Sequence, residues 1–133
     1  MSLLDASPFL RRVLLADAAA SAATGLLMAL GAGPLSSWLG LPEGLLRYAG
    51  LVLLPFAAFV GYVGTRQQVS RAAVWTIIVA NAVWAIESIM LLVLGWVAPN
   101  ALGHAFVIAQ ALAVGVLAEL GYFGVRRSAL LPA

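Results

Sequence analysis

The sequence predicts an all-α membrane protein in which four transmembrane helices form two tandem hairpins, with a short interfacial helix between spans one and two. Three observations predict it. Hydrophobic residues make up 64% of the 133-residue chain and charged residues 9%, against roughly 45–50% and about 25% in soluble domains. Four apolar segments reach the roughly 20 residues needed to cross a bilayer core about 30 Å thick. The basic residues are seven arginines and no lysine, and they gather where a four-span topology puts one side of the membrane. At this length the spans belong to a single domain, residues 1–133.

The first span is expected over about 8–32, with Ser7 as N-cap and Pro8 at the first helical position. "LRRVLLADAAASAA" resembles a secretory signal in its arginine pair and small residues. Asp17, however, ends the apolar run Val13–Ala16 after four residues, and the apolar stretch then resumes, so a retained helix is expected. The connection "GPLSSWLGLP" places Leu35, Trp38 and Leu39 on one side, as an interfacial helix would. The second span runs over about 43–65, opened by Pro42 and interrupted by Pro55. The third runs over about 70–97. The fourth follows the short link "VAPN" and runs over about 100–126, with Asn100 as its cap.

Arginine placement orients the bundle. Arg11, Arg12, Arg66, Arg71, Arg126 and Arg127 fall on one side and only Arg47 on the other. That bias predicts a multi-pass protein with both termini cytoplasmic. The arginines form no basic run with interleaved aromatics, so no nucleic-acid partner is expected; the lipid bilayer is the first partner. The chain has no cysteine, which excludes disulfides, thiol catalysis and Cys-based metal sites.

The hairpins echo one another. "GYVGTR" (61–66) ends span two and "GYFGVR" (121–126) ends span four, while "ADA" (16–18) and "ANA" (80–82) mark spans one and three. The chain reads as a duplicated hairpin, about 8–66 and 70–127, in a parallel internal repeat. Its glycines allow close helix approach. Tyr62 and Tyr122 stand four residues before Arg66 and Arg126, where ring and guanidinium can meet.

The candidate functional residues are polar groups in apolar runs, because charge inside a bilayer is costly and usually faces the bundle interior. Glu87 leads them, with Trp84, Asn81 and Gln110 as companions for a ligand or ion. Glu87 is expected to hydrogen-bond Thr24, Ser21 or Gln110 if it serves only as structural glue. Asp17 and Glu119 are secondary candidates, within snorkelling reach of Arg11, Arg12 or Arg126. His104, early in span four, is expected to be solvated or to assist the cap. It is the only histidine, so one chain holds no bis-histidine haem. No catalytic motif, metal set or identifiable cofactor emerges.

The segments "LLADAAASAATGLLMALG", "PLSSWLGLP" and "ANAVWAIESIMLLVLG" resemble small four-helix bacterial inner-membrane proteins of unknown function, loosely DoxX-like. The resemblance covers most of the chain but rests on hydropathy and loop character. It implies a bacterial cytoplasmic membrane and a four-helix bundle, and carries over no site residue. Three functions follow as alternatives. The first is a non-enzymatic accessory or hydrophobic-ligand-binding bundle. The second is a proton- or cation-coupled carrier acting through Glu87 as an oligomer. The third is a membrane-embedded enzyme acting on a quinone or lipid. A homodimer or a larger membrane complex would suit any of them.

Overall fold

The computed structural model describes residues 2–131. Its elements are β1 (Leu3–Asp5), α1 (Pro8–Leu30), α2 (Ala32–Leu39), α3 (Glu43–Gly64), β2 (Gln68–Ser70), α4 (Arg71–Val93), α5 (Ala101–Arg127) and β3 (Ala129–Leu130). The helices α1, α3, α4 and α5 are each long and apolar enough to cross a membrane. The chain is an all-α, four-span membrane protein with a small sheet at one end.

Local chemistry sets most of the helix starts. The Ser7 hydroxyl accepts from the Leu10 amide at 3.1 Å, and the Asn100 carboxamide oxygen accepts from the Gly103 amide at 2.8 Å. Ser70 caps α4 in the same way through the Ala73 amide. Each cap satisfies an amide that has no partner within its helix. Helix α3 runs through Pro55 without a break, so the expected interruption does not occur. The proline removes the bond its N–H would have donated to the preceding turn.

Helix α4 ends earlier than hydropathy implies. Gly95 has φ +70°, the Gly95 amide donates to the Leu92 carbonyl, and the Trp96 amide donates to the Leu91 carbonyl. This is a Schellman motif, in which a left-handed glycine closes the last turn and sends the chain back along the helix. Apolar residues 94–97 therefore belong to the loop, not the span.

The sheet is the element that hydropathy does not show. Strand β1 is central, antiparallel to β2 (Leu4 opposite Val69) and to β3 (Leu4 opposite Leu130). It ties both ends of the described chain and the α3–α4 loop together at the end of the bundle that carries six of the seven arginines. Arg11 donates to the Gly64 and Thr65 carbonyls at 3.5 and 3.4 Å, placing a cation where the α3 dipole is negative. Arg127 lies 4.5 Å from the Phe9 ring centroid.

Packing follows the hairpins. Helix α1 lies along α3, and α4 lies along α5; α1 against α5 joins the two pairs, whereas α3 and α4 scarcely meet. A Cβ built on Gly50 would lie 2.5 Å from the Ala29 amide nitrogen and 2.7 Å from the Gly25 carbonyl oxygen. Only glycine permits that approach of α1 and α3. The apolar core forms two clusters. One, around Leu10, Leu14, Val60, Val74 and Ile77, lies toward the sheet; the other, around Met28, Leu39, Leu46 and Val107, lies toward α2.

Candidate ligand groove between α3 and α4

A polar layer separates the two clusters. Asn81 Nδ2 donates to Asp17 Oδ2 at 2.7 Å, and Ser21 Oγ donates to Asp17 Oδ1 at 3.2 Å. Asp17 is 2% exposed and Asn81 4%. Buried polar groups persist when they satisfy one another, and both carboxyl oxygens have a donor here. Asp17 therefore bonds across to α4 rather than down to the arginines. Among the described residues the one ion pair is Arg47–Glu43, at 3.4 Å within α3.

One turn further along α4 the surroundings change. Trp84 and Ser88 lie on successive turns of one helix face, with Glu87 beside them. They face a cavity of about 600 Å³ between α3 and α4. Leu45, Leu46, Ala49 and Val52 form its α3 wall, and Met28, Phe106, Val107 and Gln110 close its back. Tyr48, Met90 and Trp96, all exposed, stand at the rim, so the cavity opens on the outside of the bundle as a groove. The Schellman turn at Gly95 is what returns Trp96 to that rim.

The polar groups inside are held in a definite order. Trp84 Nε1 donates to Gln110 Oε1 at 2.9 Å, and Gln110 Nε2 donates to the Val107 carbonyl at 2.9 Å. Ser88 Oγ donates to the Trp84 carbonyl at 2.8 Å. These bonds fix the indole as a wall between α4 and α5. Glu87 is exposed to the groove, and among the described residues none hydrogen-bonds its carboxyl. Of its three expected partners, Ser21 bonds Asp17 and Gln110 bonds Trp84, and among the described residues no hydrogen bond joins Thr24 to Glu87.

The structure thus brings Trp84, Glu87 and Gln110 to one site and sends Asn81 to another. Glu119 is exposed on α5 and lines a separate shallow hollow with Tyr122 and Phe123. His104 is exposed, its Nδ1 lying 3.0 Å from the Asn100 carbonyl oxygen. Ser88, Tyr48 and Phe106 join the groove without having stood out in the sequence. Ser88 carried a local signal, four residues after Trp84; Tyr48 and Phe106 read as ordinary span residues.

The ends of the bundle away from the sheet are laced together. Asn100 donates through its backbone to the Leu39 carbonyl at 3.1 Å and through Nδ2 to the Trp38 carbonyl at 2.8 Å. Gly103 packs directly on Leu39, where a Cβ would collide with its carbonyl. Helix α2 is thereby seated on α3 and α5, beside the groove but not across it.

In the repeated motifs, Arg66 lies 5.4 Å from the Tyr62 ring centroid and Arg126 lies 5.9 Å from that of Tyr122. These pairs sit at the sheet end, away from the groove. No group of three or more metal-ligating side chains occurs among the described residues. The chemistry the groove offers is therefore apolar contact, aromatic faces and one unpartnered carboxyl. No family model, no curated protein and no solved structure matches the chain.

Proposed function

We propose that the chain is a non-enzymatic protein of the bacterial cytoplasmic membrane, with both termini cytoplasmic, that holds a hydrophobic or amphiphilic molecule in the α3–α4 groove. The groove carries this reading. Its volume lies within the roughly 300–1,000 Å³ usual for small-molecule sites, and such sites combine apolar walls with a few placed polar groups. Its rim lies on the outside of a membrane-spanning bundle, so a lipid-soluble molecule has a lateral way in. The loose DoxX-like resemblance agrees with the setting and says nothing of the ligand.

The duplication inferred from the repeated motifs supports the same reading. Under it α1 corresponds to α4 and α3 to α5, so the α1–α5 interface should recur between α4 and α3. Those two helices scarcely meet, and the groove occupies the missing interface. The outer loops differ in the same sense. Helix α2 fills the first, while the second, "VAPN", has nothing to lay over the groove.

A carrier would need polar groups continuing toward the sheet. The groove's deepest polar groups are Trp84 and Gln110, which bond each other, and below them lies the Asp17–Asn81 layer with every hydrogen-bonding side chain engaged. Binding is thus better supported than passage.

Native mass spectrometry of protein released from membranes in a mild neutral detergent tests the reading. A specific small-molecule adduct is expected on the natural chain and should be lost in Trp84→Ala. Only a random ladder of bulk lipid, the same in both, would sink it.

A further inference from the structure

The groove's lining has a one-sided charge. Among the described residues Glu87 is the one carboxylic acid of the lining, and no arginine, lysine or histidine lines it. The nearest base in sequence on the α3 side, Arg47, is paired with Glu43. Four aromatic rings stand in the same lining, Tyr48 from α3, Trp84 from α4, Trp96 from the following loop and Phe106 from α5. Aromatic faces attract ammonium groups, and the attraction grows as water is excluded. A carboxyl with no protein partner in a membrane is costly, and a cation is the ligand group that relieves it.

Depth agrees with this. Glu87 stands six residues before the end of α4, about 9 Å along the helix axis at 1.5 Å per residue. Tyr48, five residues into α3, lies at a comparable level, about 7–8 Å in. The head of an amphiphile entering from that end would meet Glu87 before reaching the Trp84–Gln110 bond.

Resting on the ligand-binding reading above, we propose that the groove selects a cationic amphiphile. Its ammonium group sits against Glu87 among Tyr48, Trp84, Trp96 and Phe106. Its hydrocarbon follows the apolar α3 wall and leaves between α3 and α4 into lipid. An anionic head finds no base in the lining, and a neutral one leaves Glu87 unanswered.

Two chain-matched photoprobes separate the possibilities. Both carry a diazirine on a decyl chain; one ends in trimethylammonium, the other in hydroxyl. Each is titrated against the full-length protein in neutral dodecyl maltoside micelles, and labelled peptides are mapped by mass spectrometry. The ammonium probe is expected to label groove peptides, and Glu87→Gln should weaken its half-saturation by about tenfold. The hydroxyl probe should be unchanged by that variant. Glu119→Gln, which removes an exposed carboxylate outside the groove, should leave both probes as they were. If both probes label the groove equally, in Glu87→Gln as in the natural chain, cation selection is overturned and the hydrophobic-ligand reading stands. An equal loss of ammonium labelling in Glu119→Gln would also overturn selection at Glu87. Labelling spread evenly over lipid-facing peptides by both probes overturns both readings.

Discussion

Asn81 Nδ2 donates to Asp17 Oδ2 at 2.7 Å, and the two residues hold the same place in the "ADA" and "ANA" marks of the two hairpins. Equivalent residues of a two-fold arrangement touch only near the axis that relates them. If the hairpins are duplicates, that axis passes between α1 and α4 at this bond.

A double-mutant cycle measures what the bond contributes. Removing Asp17 leaves Asn81 Nδ2 buried without its acceptor, and removing Asn81 leaves Asp17 Oδ2 without its donor while Ser21 still holds Oδ1, at a cost of about 1–3 kcal/mol. Asp17→Ala and Asn81→Ala are each expected to destabilise reversible unfolding in mixed micelles. Their coupling should fall near the roughly 0.6 kcal/mol average, and not above the roughly 1.7 kcal/mol maximum, of double-mutant cycles on hydrogen bonds between membrane helices. Additive single effects would mean that the pair contributes nothing beyond its separate contacts.

Glycines in this chain are not equivalent, and alanine substitution should sort them. At Gly50 a Cβ would lie 2.5 Å from the Ala29 nitrogen, backbone against backbone, while at Gly115 nothing lies within 4 Å. Gly50→Ala must push α1 from α3 and is expected to cost about 1–3 kcal/mol. Gly115→Ala meets open space and gains helix propensity, up to about 1 kcal/mol. Equal thermal stabilities for the two variants would contradict the close approach of α1 and α3.

What was legible in the sequence was local or compositional. Ser7, Ser70 and Asn100 announce helix starts because capping needs only the next three residues. Gly95 marked the true end of α4, but hydropathy averaged over residues 94–97 hid it. The sheet was not legible because strands of two or three residues carry no periodicity and exist only through pairing with segments far away in the chain. Glu87 was conspicuous as a charge in an apolar run, yet its surroundings were not. Asn81 and Trp84 stand three residues apart on α4, and which neighbour each meets depends on how α4 rotates against α1 and α5. That rotation is decided by packing, so one residue joins the core and the other the groove.

Orientation is a separate expectation and has its own measurement. Six arginines at the sheet end should hold that end in the cytoplasm. A fluorescent-protein fusion at the C-terminus is expected to glow in intact bacterial cells, and alkaline phosphatase fused after Trp96 to be active. The opposite pattern would reverse the bundle and place the end that carries the groove toward the cytoplasm.

The absence of cysteine from the chain makes helix contacts directly measurable with introduced pairs. A Cβ built on Gly61 would lie 3.5 Å from the Ala18 Cβ, within the roughly 3.5–4.5 Å that a disulfide requires. Ala18→Cys with Gly61→Cys is therefore expected to close under mild oxidation, joining α1 to α3 within the monomer. Across the groove the outcome should differ. Val52 and Leu91 stand on the walls contributed by α3 and α4, with the cavity of about 600 Å³ between them. A pair of cysteines there should resist direct oxidation but be bridged by a longer bifunctional maleimide. Pre-saturation with a groove ligand should slow that bridging and leave the Ala18–Gly61 pair unaffected. Rapid direct oxidation of the Val52–Leu91 pair would mean that α3 and α4 close on each other in the membrane, leaving no room for a ligand.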